Sequence, residues 1–562
     1  MPLFSRKRSR STASILTAPP PVAPLAEAGS RAATRRADYV HDMDAPLLQL
    51  SPAKEDSWCL RDALEGVQIF GGIGSGKTSG SGRALAHAFL RSGMGGVVLC
   101  AKPDEAANWM SYAKETGRER SILRFDASGA VRFNFLEYEM SRNPGAADIM
   151  SANVVACLQN ILEVAARGTT LSTPAAGDAF WQKAPRMMIG YGVDLLYATW
   201  GRVRLAELMD LIESAPTSPA QMKDAEWREH SFFYQTFSEF FATGGGVYPP
   251  PPEDLVRLKK FWTSGFPRMA EKTRSNIITT LTADLDPLLR GRMRTIFSTE
   301  TNIVPELTHE GAVILLDFPV KEFNEAGILA QQIFKYLWQR ATERRAVSDA
   351  TRPVFLWSDE CQFFLSGYDM EFQSTARSSR ACTVLMTQNL PTLYSKIGGQ
   401  VPEHTVNALI GNLRTKILHS NTDNATNQWA AQLIGRETVW RANYSSNEGW
   451  SSGDSRGWNS GDSTSWQVGG SRGADGTVSV TSSSGGGFSQ GVNQSWSRGR
   501  SGGTSQGVQE QLDHAIQPEE FGRSFKTGGR RSGYKVSGVV MQAGRRFASG
   551  RNWLRVEFDQ RS

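Results

Sequence analysis

A short run early in the chain has the residue types and spacing of a phosphate cradle. Residues 68–81 read QIFGGIGSGKTSGS, with Gly71, Gly76, Lys77 and Thr78 at the fixed places of the pattern G-x-x-x-x-G-K-[ST]. Glycines at 71, 72, 74 and 76 let the backbone take positive φ angles and come close to a phosphate chain. The candidate binding set is Gly71, Gly72, Ile73, Gly74, Ser75, Gly76, Lys77, Thr78 and Ser79, whose turned backbone aims N–H groups at phosphate oxygens. Lys77 adds a mobile point charge and the Thr78 hydroxyl a ligand for Mg2+. A helix starting near Lys77 adds its positive end. The rival reading is an ordinary glycine turn. Against it stand a buried strand entering (Val67, Gln68, Ile69, Phe70) and a helix leaving over 84–90, with apolar residues at helical spacing.

A second run, VFLWSDE at 354–360, is an apolar strand ending in two acids. Its first carboxylate, Asp359, is placed to orient Mg2+, and its second, Glu360, to activate an attacking water. The bland alternative is that the pair caps the next helix. The strand at 382–387 ends at Gln388, a polar group able to orient that water. Arg377 and Arg380 lie just before it. They are either two solvated arginines or hold one that reaches a neighbouring subunit's nucleotide as an arginine finger.

These residues need a sheet to hold them. Strand patterns at 95–100, 122–125 and 133–135, with a helix carrying Trp109 and Tyr112 between, imply β-α-β units and a parallel sheet. From about 145 to 300 strand pattern disappears. Val154, Val155, Leu158, Ile161 and Leu162 fall on one helical face, as do Phe180, Trp181, Ala184, Met187, Met188, Tyr191 and Leu195. Such stripes read as core, so 145–300 is an inserted all-α domain. Sheet pattern returns at 312–317 and continues through 354–360, 382–387 and 414–419, with final strands at 534–540 and 553–558. The fold class is α/β, a mostly parallel sheet flanked by helices. Its parts are 46–144, 301–443 and 508–562.

Two segments break the pattern. Residues 1–45 set seven lysines and arginines, counted from Arg6 to Arg36, against Glu27 in a Ser/Ala/Pro background and read as a disordered basic tail. Residues 444–507 are rich in Gly and Ser. They carry a short repeat (GWSSGDSR, GWNSGDST, SWQVGGSR) that spaces Trp450, Trp458 and Trp466 evenly, with Trp496 beyond. The repeat is too polar to bury a core and reads as disordered, either idle or a sticky segment for bases or a partner.

Composition sets outer limits. The 562 residues suffice for two or more domains, and 40% hydrophobic content supports a core. A net charge of +6 is a mild bias toward anionic partners. Cysteines 59, 100, 157, 361 and 382 form no metal spacing and suit a reducing cytosol. No stretch reaches the roughly 18–20 apolar residues of a membrane span. Residues 18–21 (APPP) break the only candidate leader. The expectation is a cytoplasmic protein with no membrane span of its own.

In motif order the chain resembles the conjugative coupling ATPases of type IV secretion systems, the TraD/TraG-type family. The likeness extends to FWQKA at 180–184, KTRSNI at 272–277, EGAVILLDFPV at 310–320, GNLRTKI at 411–417 and QPEEFGRSFKTGG at 517–529. It implies a RecA-like motor domain with an all-α domain, working as a ring, a homo-hexamer. It also implies ATP and Mg2+ as cofactors, and ATP hydrolysis coupled to moving DNA (single- or double-stranded) or a relaxase–DNA complex toward a secretion channel. The family's roles fall on Lys77, Thr78, Asp359, Glu360 and Gln388. Arg377 is the best match to the finger, with Arg380 and Arg414 as alternatives. Many members carry an N-terminal membrane anchor. Its absence here implies docking at the inner membrane through a partner, or a cytosolic role. Residues 100–103 read CAKP, where the family more usually has an acid before the lysine. The competing functional reading is a nucleotide-gated docking scaffold that recruits protein substrates and pumps little DNA.

Overall fold

The computed structural model describes residues 42–142, 147–169, 178–397, 401–452, 461–472, 478–489 and 498–561. One compact unit takes in the described residues up to Thr426 and those from Phe521 on; the other is Asn427–Glu520.

The first unit opens with β1 (Pro46–Gln49) and β2 (Ser57–Cys59), a small antiparallel pair. Then come β3 (Val67–Phe70), β4 (Gly95–Leu99), β5 (Ile122–Asp126), β6 (Val313–Asp317), β7 (Val354–Ser358), β8 (Ala381–Thr387) and β9 (Thr415–Leu418). In the second unit lie β10 (Arg436–Ser452), β11 (Gly461–Arg472), β12 (Val478–Ser489) and β13 (Arg498–His514), and the chain closes in the first with β14 (Lys535–Gln542) and β15 (Trp553–Asp559). Nine strands form one sheet in the order β15-β14-β9-β3-β8-β7-β4-β6-β5. It is parallel from β9 to β5, and β14 and β15 are added antiparallel.

Sequence explains the sheet's centre. Every residue of β3, β4, β6, β7 and β8 is buried, as expected of parallel strands covered by helices on both faces. Strands β3 and β7 are separated by β8, so the two expected site segments leave the same sheet edge one strand apart. Two apolar layers hold the faces. One packs Phe89, Trp109, Phe355 and Trp357, with the Trp109 and Phe355 rings stacked at 5.5 Å. The other runs from Val97 and Leu316 through Phe334 to Leu208 and Leu285.

Between β5 and β6 every described element is helical, including Ala147–Thr169, Asp178–Trp200, Leu205–Glu213, Phe232–Ala242 and Glu271–Leu289. These helices share one core with a sheet face and belong to the same compact unit. Side chains of Phe180, Trp181 and Ala184 lie outside the described residues. Farther along that helix Met188 and Leu195 are buried, but Met187 is 55% exposed, and Ile189 and Val193 fill the face instead.

The strand expected at 133–135 is a correction. Asn134 accepts the Glu137 N–H and donates to the Glu137 carboxylate at 2.9 Å, which caps and starts a helix at Phe135–Ser141. The two phenylalanines, Phe133 and Phe135, suggested a strand, but the cap between them decides.

The second unit also departs from expectation. Where disorder was expected over 444–507, the described residues form ribbons. Strands β10 and β13 pair from Arg436↔His514 to Ser452↔Arg498, and β11 pairs with β12. A polar composition argues against a core, yet an antiparallel ladder satisfies backbone groups whatever the side chains. Trp450 lies in β10 and Trp466 in β11; Trp458 and Trp496 lie outside the described residues, as does 1–41 of the expected tail. Ala45, at that tail's expected end, is buried. Among the described residues no helix is long and apolar enough to cross a membrane.

Candidate functional site

The carboxyl ends of β3, β7 and β8 bring the expected residues together. After Phe70 the loop is pinned on both sides: Gly71 N–H donates to Thr387 O (3.3 Å) and Gly72 N–H to Ser420 O (2.9 Å). Gly76 takes φ +83°, and a Cβ there would sit 2.6 Å from a Val536 methyl, so both its conformation and its neighbour demand glycine. Gly74, also at positive φ, and Ile73, 90% exposed, form the tip. The Ser75 hydroxyl is buried with no hydrogen-bond partner, a polar atom left for a ligand. Ser79 faces away and accepts from Gln560 Nε2 at 2.6 Å.

Lys77 and Thr78 point at the acids of β7. Lys77 Nζ lies 3.2 Å from Glu360 Oε1, both side chains under 10% exposed. Thr78 Oγ1 donates to Asp359 Oδ2 at 2.9 Å. Glu360 has φ +51°, a strained conformation for a non-glycine residue. It begins the short helix Cys361–Phe363 without a side-chain cap bond, so its carboxylate is not a helix cap. Gln388 Nε2 approaches both Glu360 oxygens at 3.5 and 3.4 Å.

Two further groups complete the cluster. Lys102 Nζ sits 3.3 Å from Asp359 Oδ2 and 3.0 Å from Glu360 Oε1. Gln362 Nε2 donates to Glu360 Oε2 at 2.9 Å, and its Oε1 accepts from Thr387 Oγ1 at 3.0 Å. Burial alone would raise the Glu360 pKa. Lys77, Gln362 and Lys102 overcome that and hold it down to about 2. Burial pulls the Lys102 ammonium down, but Asp359 and Glu360 more than offset it and keep it above the ordinary lysine value. Neither Lys102 nor Gln362 stands out from sequence spacing. The signal for Lys102 is topological: β4 lies beside β7 with Leu99 opposite Ser358, so the turn after one strand meets the acids after the other.

His419 backs the loop. Its Nδ1 faces Ser537 O at 2.9 Å and so donates, leaving Nε2 to accept from Ser81 Oγ at 2.6 Å. Burial lowers its pKa to about 4.

The arginines go elsewhere. Arg380 is buried and donates to the carbonyls of Asp349 (3.0 Å) and Thr351 (3.1 Å), so it serves the fold. Arg377 and Arg414 both pair with Glu65 Oε1, at 3.0 and 3.1 Å, and stay half-exposed. They precede β8 and β9, at the sheet edge opposite the loop, and do not meet this chain's own Glu360.

The arrangement can hold a phosphate chain with a divalent cation. It offers a buried ammonium, an unpartnered hydroxyl, and a hydroxyl–carboxylate pair in Thr78 and Asp359. Among the described residues no three His, Cys, Asp or Glu side chains could cage a metal by themselves.

Residues 353–472 match the family model described as the TraM recognition site of TraD and TraG. The fold matches that of the bacterial conjugative coupling protein TrwBdeltaN70 in its unbound monoclinic form, at 12% identity and TM-score 0.54 over 93% of this chain and 91% of that one. The likeness to the family model is thus confined to 353–472, whereas the likeness in fold extends over nearly the whole chain. Plasmid coupling protein TrwB in complex with the non-hydrolysable GTP analogue GDPNP matches at 12% identity and TM-score 0.53, over 93% of each chain. TrwB in complex with ADP and Mg2+ matches at 11% identity and TM-score 0.53, over 92% of this chain and 89% of that one. No curated protein sequence matches. The stretch that matches the family model begins at β7 and takes in Asp359, Glu360, Arg377 and Gln388.

Proposed function

We propose that the protein is an ATP-hydrolysing motor of the conjugative coupling type, moving DNA or a nucleoprotein complex toward a type IV secretion channel as a homo-hexameric ring. The observation that carries this reading is the convergence of Lys77 and Thr78 on Asp359 and Glu360. The likeness to TrwB bound to ADP and Mg2+ supports ATP and Mg2+ as the ligands here.

Each residue then has a task. Backbone N–H groups of 73–79, Ser75 excepted, cradle the phosphates, and Lys77 leaves Glu360 to neutralise them. Thr78 and Asp359 hold Mg2+, which supplies neutralisation of charge developing on the phosphate oxygens. Glu360 accepts the proton of the attacking water once its cations are drawn off. Gln388, fixed beside it, orients that water. Arg377, exposed at the far sheet edge, suits the site of a neighbouring copy.

The test is steady-state ATP hydrolysis with and without single- and double-stranded DNA, alongside Lys77→Ala. Stimulation by DNA that vanishes in the variant is expected. Hydrolysis indifferent to DNA would favour the second reading, a nucleotide-gated scaffold that recruits a protein partner. The match of 353–472 to a partner-recognition model supports that second reading.

A further inference from the structure

Lys102 places a positive charge against both carboxylates that follow β7. Its ammonium shares Asp359 Oδ2 with the Thr78 hydroxyl and also holds Glu360 Oε1. The turn beneath it is fixed, because the N–H groups of Ala101 and Lys102 donate to the buried Glu105 Oε2 at 2.9 and 3.4 Å. The side chain itself is looser, 36% exposed against 8% for Lys77. So Lys102 enters the cluster from its solvent side and can withdraw without disturbing the loop. The protein offers too few carboxylates here to hold a bare divalent cation well, and an ammonium on Asp359 repels one further.

We propose that Lys102 is a placeholder cation: it occupies the two carboxylates of the empty site, keeps metal from loading alone, and gives way on Asp359 only to a cation carried in on nucleotide phosphates. The inference rests on the nucleotide-site reading above. It makes Lys102 a positioning residue that sets the order of loading.

The experiment titrates Mn2+ alone into the full-length, nucleotide-free protein and follows the free ion by electron paramagnetic resonance. A second titration follows binding of a fluorescent ATP analogue with Mg2+. The expected result is that Lys102→Ala binds Mn2+ alone about tenfold more tightly than wild type. Lys102→Arg stays at the wild-type value, and affinity for the Mg2+–nucleotide complex moves far less in both. Lys102→Met, which keeps the apolar stem, gives the same answer should the alanine variant fail to fold. Unchanged or weaker Mn2+ binding in both neutral variants overturns the proposal, as does Lys102→Arg behaving like Lys102→Ala. A wild-type protein that binds no nucleotide overturns the underlying site reading instead.

Discussion

Glu360 and Glu65 are each flanked by two cations, at opposite edges of one sheet. Glu360 sits between Lys77 and Lys102 at the carboxyl ends of the strands; Glu65 sits between Arg377 and Arg414 at the amino ends. Both carboxylates are nearly buried, at 6% and 9%. The cations differ. Lys77 and Lys102 are 8% and 36% exposed, whereas Arg377 and Arg414 are 58% and 50% exposed. The first cluster is closed upon itself and rests on a strained backbone, conditions that concentrate electrostatic work. The second turns its guanidinium groups outward, toward solvent. Under the proposed function, similar charges would serve an internal reaction at one edge and an external contact at the other.

The comparison breaks most visibly in mixed assemblies. Arg377→Ala and Glu360→Gln are each expected to lower ATP turnover by about 10³-fold. Mixing the two variant chains is expected to restore part of the activity, because an intact Glu360 site in one subunit can meet an intact Arg377 from its neighbour. Phosphate release from mixtures of varied ratio checks this. No recovery at any ratio would place Arg377 outside the reaction.

Stability sharpens the contrast among the arginines. Arg380→Ala removes the hydrogen bonds of a buried guanidinium to the carbonyls of Asp349 and Thr351 and should cost about 1–3 kcal/mol in chemical denaturation. Loss of turnover from Arg380→Ala without loss of stability would contradict a purely structural role.

His419 gives a pH signature. Its pKa is about 4 folded against 6.5 for the free side chain, so the unfolded chain takes up the proton first. Its contribution to stability is present above pH 6.5 and is lost as pH falls toward 4. His419→Asn should flatten the fall in melting temperature across that window; an unchanged slope would mean His419 is solvated.

The smallest effect belongs to the outer cluster. Glu65→Ala should cost about 1 kcal/mol or less, since both its partners are well exposed. A larger loss by thermal melting would mean that Glu65 holds the fold, and the outward-facing reading of its arginines would weaken.

Much of this was legible in the sequence, for reasons that particular residues make plain. Strands β6 and β7 are continuous apolar runs that end in polar residues, and burial on both faces permits little else. The loop at 71–79 has a fixed local pattern, so its residues could be named in advance. Lys102 could not, because its meeting with Asp359 and Glu360 depends on strand order, which spacing along the chain does not encode. Gln362 escaped for a similar reason: only the turn at Glu360 points it back at the carboxylate. The helix at Phe135–Ser141 was misread because apolar residues outweighed the Asn134 cap, and the ribbon strands because composition reports on cores, not ladders.

One measurement tests the account most directly: nucleotide binding and phosphate release on the same preparations of wild type and Glu360→Gln. The account predicts comparable affinity for ATP with Mg2+ in both and turnover in wild type alone. Hydrolysis by Glu360→Gln at the wild-type rate would contradict it, because the residue on which Lys77, Lys102, Gln362 and Gln388 converge would then not be the one that activates water.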